Sequence, residues 1–383
     1  MSNTLTNLAP DLYKAADIVG RELVGFIPSV TLNAGIQETA QGDVVRAHFT
    51  QPATVQTGVT PSMTIPEGDD QTVDNKSVTL DQIARVSIPW EGEEQAHVNL
   101  GIGFSTIYGD QILQAMRGIA NTIEAHVAQV AYQGASRAHG TAGTTPFASN
   151  FNELPQLRKI LADNGAPVAD GQMSVIMDTT AGANMRSLAQ LQKANEAGGD
   201  GLLRQGTLLD LQGFMLRESA QVQSHTKGTA TGLDANGAQV VDATSIVLDG
   251  GDGGTVVTGD VVTFAGDTNK YVVGTGIAAV SGTIVLNPTG LEEALADTTE
   301  MTIGNDFTAN VALHRAAVEL AMRPLAKPAG GDAAVDEMII QDPHSGLVFR
   351  ISDYRGYNKA MFDITVLYKA KAWKEDFIAL LLG

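Results

Sequence analysis

Histidine is the side chain that most readily moves a proton near neutral pH, and this chain carries His48, His97, His126, His139, His225, His314 and His344. No two stand four residues apart, the spacing that sets two imidazoles on one helix face around a zinc ion. His126 and His314 fall in stretches with helical periodicity, where a solvated or hydrogen-bonded ring is the ordinary case. The segment Gly101-Ile102-Gly103-Phe104-Ser105-Thr106-Ile107 approaches two motifs and completes neither. A dinucleotide fingerprint needs Gly where Thr106 stands, and a nucleophile elbow needs Gly where Ile107 stands. Asp249-Gly250-Gly251-Asp252-Gly253-Gly254 has the flavour of a calcium loop but lacks the downstream bidentate Glu. It reads as a glycine-rich acidic turn. Asn75-Lys76-Ser77 is a glycosylation sequon, expected to be silent without a secretory route. There is no cysteine, which removes disulfides and thiolate metal sites and suits a reducing compartment. No catalytic, cofactor-binding or metal-binding residue is therefore expected, and the chain does not read as an enzyme.

Net charge is −19, with 24 Lys plus Arg against 43 Asp plus Glu. Gripping phosphate requires a basic surface, because counterion release supplies most non-specific affinity. This balance is the reverse. It serves solubility, or lets a protein lie beside nucleic acid without adhering to it. Residues Met1 to Leu12 lack the basic and apolar regions of a secretory signal, and no apolar run approaches the ~18 residues of a membrane span.

At 383 residues the chain exceeds the roughly 250–300 residues at which one core stops growing, so several structural units are expected. Leu12, Ala16, Val19, Leu23 and Phe26 predict a helix over Asp11–Phe26, closed by Pro28. Thr31–His97 is extended and helix-poor. Val44–Phe49 alternates apolar and polar residues, and Val78–Ile88 is a second strand-like run. Pro52, Gly58, Pro61, Pro66, Gly68 and Asp69-Asp70 lie between them, which predicts a two-stranded hairpin with a wide tip. Such a ribbon is marginal alone and exposes edges, so it needs a surface to lie on. Ile112, Met116, Ile119, Ile123, Val127 and Val130 form one stripe along Ser105–Gln133. That helix would span roughly 43 Å, with Ser105 or Asp110 as its cap and Gly134 at its end.

Beyond it, the pattern predicts a helix at Phe151–Asp163 capped by Asn152, a strand at Met173–Met177, a helix at Asn184–Ala194, a loop at Gly198–Gly201 and a strand around Phe214 and Leu216. From Gln221 to Ile303 Gly, Thr, Val and Asp dominate. Runs at Ser245–Leu248, Val261–Phe264, Lys270–Val273, Thr283–Leu286 and Glu300–Ile303 predict a small β-barrel or sandwich. A helix is expected again at Asn310–Met322, from Leu313, Ala317 and Leu320. Strands follow at Leu347–Ile351 and Phe362–Lys369, with a last one holding Trp373, Phe377, Ile378 and Leu380. A β-rich module thus interrupts an α+β protein.

Together these segments resemble the major capsid proteins of tailed bacteriophages, in the HK-ninety-seven-type fold, and within them the podovirus-type coat protein with an inserted domain. The long helix after an extended loop looks like that fold's spine helix and E-loop. Gly206–Ser219 is similar to the strand entering the insertion, and Phe307–Leu325 resembles the helix after it. Ser345–Arg350, Asp363–Tyr368 and Trp373–Phe377 look like the closing strands. Asp260–Phe264 and Ile284–Pro288 are similar to the inserted barrel.

The resemblance implies an α+β capsid fold divided as follows: an N-terminal arm over 1–30, the extended loop over 31–100, and the spine helix over 101–140. An axial-like α/β domain takes 141–220 and 304–350, the inserted barrel 221–303, and closing strands 351–383. It implies a structural protein without cofactor that forms hexamers and pentamers of a shell around double-stranded DNA. A scaffolding protein and a portal would be its partners, the DNA would be held without specific binding, and no membrane would be involved. The location would be the virion capsid, assembled in the host bacterial cytoplasm. Contacts between subunits are expected at Arg46, Lys76, Arg85, Asp249 and Asp252. Some shells of this fold join a Lys to an Asn under a Glu. Lys76 lies in the loop, but no partner is identified, and no crosslink is expected. The alternatives are a cellular nanocompartment shell of the same fold, a phage tail or other β-rich structural protein, and a hydrolase with an appended β-module.

Overall fold

The chain is known here from a computed structural model that describes residues 24–50, 55, 57–58, 60–65, 73–99, 104–192, 208, 210–279, 281–342 and 346–383. A 3-10 turn at Ile27–Ser29 leads into β1 (Thr31–Ala34), β2 (Val44–Thr50), β3 (Val73–Thr79), β4 (Gln82–Glu91), α1 (Gly92–Asn99) and α2 (Phe104–Gln133). Next come β5 (Arg137–Gly140), α3 (Glu153–Asp163), β6 (Met173–Met177), α4 (Thr179–Ser187), α5 (Ala189–Gln192) and β7 (Met215–Glu218). Short strands follow: β8 (Ser224–His225), β9 (Leu233–Ala235), β10 (Ser245–Asp249), β11 (Val261–Phe264), β12 (Tyr271–Thr275), β13 (Gly282–Leu286) and β14 (Glu300–Ile303). The last elements are β15 (Phe307–His314), β16 (Val318–Arg323), β17 (Ala334–Gln341), β18 (Val348–Gly356), β19 (Lys359–Ala372) and β20 (Ile378–Leu382).

The apolar stripe makes α2 the element on which the rest is laid. Ile112, Met116, Ile119, Ile123 and Val127 are buried, and they share one core with residues of two sheets. One is the six-stranded sheet β1-β16-β19-β18-β17, with β4 also paired to β19. It contributes Val318, Leu320, Ile364, Val366 and Phe349 to the contact with α2. The other is the central run β5-β20-β15-β6-β7. There the pleat assigns alternate residues to opposite layers. Val311, Leu313, Leu380 and Leu382 face the core of α2. Ala312, Ala379, Leu381 and Val175 face a second core with Leu154, Leu157 and Leu161 of α3 and Met185 of α4.

Six short strands close on themselves in the order β11-β14-β9-β10-β13-β12, and β12 pairs back to β11 through Val261↔Val272 and Val262↔Tyr271. The closed ring has its own core, including Leu233, Ile246, Leu248, Val262, Phe264, Val273, Ile284 and Met301. Closure removes the exposed edges that such short strands would otherwise present. The small barrel expected between 221 and 303 is therefore present as a closed ring.

Several expectations change. Asn310–Met322 is not a helix but parts of two strands, β15 and β16, joined by a 3-10 turn at Arg315–Ala317. Leu313, Ala317 and Leu320 imitate helical spacing because β15 is buried on both faces, and a strand covered on both sides is apolar without alternation. Val78–Ile88 divides: Val78 and Thr79 end β3, and Gln82 onward belongs to β4. The helix-poor stretch contains α1. The helix expected over Asn184–Ala194 starts earlier, at Thr179, and breaks at Leu188 into α4 and α5; its last two residues lie outside the described residues. Ser105 and Asp110 lie inside α2, past its first residue, rather than at the position of an N-cap. Asn152 makes no side-chain cap bond, whereas Asp178 caps α4 by accepting from the backbone N–H of Thr180 and Ala181. Trp373 and Phe377 precede β20 rather than lying in it. The helix expected over Asp11–Phe26 falls outside the described residues up to 23, and 24–26 are not helical; the Gly198–Gly201 loop also falls outside.

Candidate functional site

The ribbon of β2 and β3 joins neither of the two large sheets. β2 and β3 pair in full antiparallel register from Val44↔Thr79 to Thr50↔Val73, and together they form a separate two-stranded sheet. At its far end Val55, Met63 and Ile65 are 81 %, 106 % and 92 % exposed. Three exposed apolar side chains in the segment between β2 and β3 make that segment a candidate contact surface. The foot of the ribbon, in contrast, is tied down. Val78 and Leu80 are buried with Ala321 and Leu367, and Val45, Leu325 and Trp373 pack around them. Lys76 Nζ donates to the Trp373 carbonyl at 2.7 Å, and Lys371 Nζ donates to the Ser77 carbonyl at 2.8 Å. Trp373 Nε1 donates to Glu319 Oε2 at 2.5 Å.

The barrel is fused to the rest by polar bonds and by sheet. β12 continues into β5 through Tyr271↔Arg137. Asn287 Nδ2 donates to the carbonyls of Gln133 and Ala135, each at 2.7 Å, and so caps the last turn of α2 from the barrel. Arg137 reaches Glu292 Oε1 at 3.0 Å and Asn164 Oδ1 at 2.7 Å. His225 Nε2 meets Asp260 Oδ1 at 2.8 Å, and its ring lies against Tyr132 and Phe307. Asp260, fully buried, also accepts from the backbone of Gly228 and Val257. Asn287→Ala should lower stability by about 2 kcal/mol, because it strips donors from two carbonyls at a buried junction. Urea unfolding measures this, and a loss below about 0.5 kcal/mol would mean that the barrel does not brace the helix.

A second buried carboxylate gathers the N-terminal side of the chain. Glu124, on α2, is fully buried. Its Oε1 accepts from the backbone N–H of Gly25 and Phe26 at 2.6 and 2.7 Å and from Ser219 Oγ at 2.8 Å, and its Oε2 accepts from Ile27 N–H at 2.9 Å. Burial pushes this carboxyl above the usual range, against the pull of its donors.

The histidines do structural work where the structure describes their partners. His314 Nδ1 accepts from Ala316 N–H while Nε2 meets Asp170 at 2.8 Å, so both nitrogens hold the turn between β15 and β16. His126 stands edge-on to Tyr368, and burial lowers its pKa.

The expected contact residues lie on three different elements. Arg46 and Lys76 share the ribbon, where Arg46 pairs with Ser77 and Ala47 with Lys76, and Arg46 is exposed. Lys76 is half-buried and turned to its own chain. Arg85, on β4, is 54 % exposed and donates to Asp363 at 2.7 Å. Asp249 ends β10, half-buried, and Asp252 is exposed in the following turn. Sequence reading missed Glu124, Asn287, Lys371 and Trp373. Glu124 had one signal: it stands four residues after buried Ala120 and beside Ile123, a charge on the apolar stripe.

No family model matches the chain, and no curated protein does. Among solved structures, a chain in the capsid structure of the cyanophage P-SCSP1u superposes with a TM-score of 0.51 at 11 % identity, covering 92 % of this chain and 86 % of that one. The asymmetric unit of the bacteriophage PhiM1 mature capsid gives 0.48 at 12 % identity, with coverages of 94 % and 86 %. Mycobacterium phage Che8 gives 0.47 at 13 % identity, with 89 % and 84 %. The cyanophage likeness shows the fold: this chain folds as a phage capsid chain does.

Proposed function

We propose that the chain is the major capsid protein of a tailed phage, a structural protein that assembles with copies of itself into hexamers and pentamers of an icosahedral shell. The fold shared with the cyanophage capsid over 92 % of this chain carries the reading. The ribbon supports it, since an apolar tip at the end of a two-stranded sheet needs a surface that a neighbouring subunit would supply. The charge of −19 supports a wall beside which double-stranded DNA is packed without being gripped. A scaffolding protein and a portal would complete assembly in the host cytoplasm, and the virion would be the final location. Residues 221–303 are the inserted domain on this reading. Arg46 and Asp252 are the exposed contact positions, Arg85 and Asp249 lie at the margins of contacts, and Lys76 acts from the foot of the ribbon. Among the described residues no helix is long and apolar enough to cross a membrane.

Size tests the reading directly. The chain, expressed with and without a candidate scaffolding protein, is run in velocity sedimentation and its fast fraction imaged by negative stain. Closed shells tens of nanometres across are expected on the order of a phage head, built from many weak contacts. A monomer or small oligomer under every condition overturns the proposal.

A further inference from the structure

We propose that Lys76, Lys371 and Trp373 form a clamp that fixes the angle at which the ribbon leaves the body, and through that angle the curvature of the shell. The inference rests on the shell reading above and adds to it the residues that set shell geometry.

The clamp is reciprocal. A lysine of the ribbon bonds the backbone of the body at Trp373, and a lysine of the body bonds the backbone of the ribbon at Ser77. The Lys371 ammonium also lies over the Trp373 ring, 5.0 Å from its centroid. Trp373 is itself fixed. Its backbone N–H donates to Ala317 O at 2.8 Å, and its indole is held by Glu319. On the next turn of the foot, Lys369 Nζ meets Asp81 Oδ2 at 2.9 Å. Two lysines of β19, Lys369 and Lys371, thus reach the chain on either side of the link between β3 and β4, at Asp81 and Ser77.

Lever arithmetic says why the angle matters. Seven paired residues at ~3.4 Å each make a ribbon of about 24 Å before its tip, so a swing of about 10° at the foot displaces the far end by about 4 Å. Displacement on that scale moves an apolar tip off its seat on a neighbour, because interfaces of packed side chains accept discrete arrangements. A loose foot therefore permits several tilts between subunits, and shells of several curvatures.

The absence of cysteine makes the test clean. Spin labels are placed at Val55→Cys on the ribbon tip and Val335→Cys at the edge of the six-stranded sheet, both exposed positions. Distances are measured on the unassembled full chain, and shell diameters on the assembled protein by electron microscopy. Lys76→Met and Lys371→Met should broaden the distance distribution by about 4 Å or more and give mixed diameters or open tubes. Lys76→Arg, which still donates to the Trp373 carbonyl, should restore both. An unchanged distance distribution in Lys76→Met overturns the clamp. A broadened distribution with shells of uniform, unaltered diameter overturns the link to curvature. If the unsubstituted chain makes no shells, the shell reading and the curvature claim fall together, while the label distances still decide the clamp.

Discussion

Removal of Thr54 to Asp74 is expected to abolish closed shells and to leave a folded monomer. The deletion takes the ribbon tip and one end of β3, and it spares every residue of the foot: Val45, Lys76, Ser77, Val78 and Leu80 remain, with Trp373 against them. Among the described residues, none that shares the core of α2 is lost. Stability should therefore change by about 1 kcal/mol or less, a shift of roughly 1–3 °C in Tm for a chain of this size. Val55, Met63 and Ile65 leave with the deletion, so the monomer should also be more soluble. Assembly is affected far more strongly. If the ribbon supplies ~3 kcal/mol to each subunit's seat, its loss weakens every such contact roughly 100-fold, and the weakening recurs at each subunit of the shell. Sedimentation of the purified variant with scaffold decides the matter. Shells of ordinary yield would show that the ribbon is not an assembly contact, and an unfolded variant would show that it belongs to the chain's own core.

What the sequence showed depended on how local each cause is. The stripe of α2 repeats every three or four residues, so its cause lies within the element and was legible. The barrel strands were legible because turns such as Gly259-Asp260 punctuate short apolar runs. β15 and β16 were not, because burial on both faces erases the alternation that distinguishes a strand. β3 was misplaced because Asp74, Asn75 and Lys76 give it no strand-like composition, and its partner β2, not its own residues, makes it a strand. The foot of the ribbon was beyond local reading altogether. Lys76 and Trp373 are separated by 297 positions, and nothing near either residue announces the other. Asn287 and the end of α2 are joined across 152 and 154 positions, with the same result. The expected contacts at Arg46, Asp249 and Asp252 were chosen by charge and turn composition, which locate surface and not partner.

Glu124→Ala is expected to cost about 4 kcal/mol or more, since three backbone N–H groups and one hydroxyl lose their acceptor in a site without solvent, at about 1–3 kcal/mol each before relaxation. Glu124→Gln keeps the volume and one acceptor oxygen, but turns an amide toward the Ile27 N–H, donor against donor, so an intermediate loss of about 2 kcal/mol is expected. The pH dependence gives an independent reading of the same carboxyl. Burial raises its folded pKa above the ordinary 4.5, so the folded chain holds the proton more tightly than the unfolded one. By linkage, this group's contribution falls as pH rises from the ordinary carboxyl value through the raised one, and is level above it. The stability difference between the parent chain and Glu124→Gln, measured from urea midpoints, should therefore shift against the parent as pH rises through that window, because glutamine carries no proton to lose. A difference that is flat across the window would mean that the four donors cancel the burial of the charge. A Glu124→Ala variant within about 1 kcal/mol of the parent would mean that residues 25–27 find other acceptors, and that the carboxylate does not hold the N-terminal segment to the long helix.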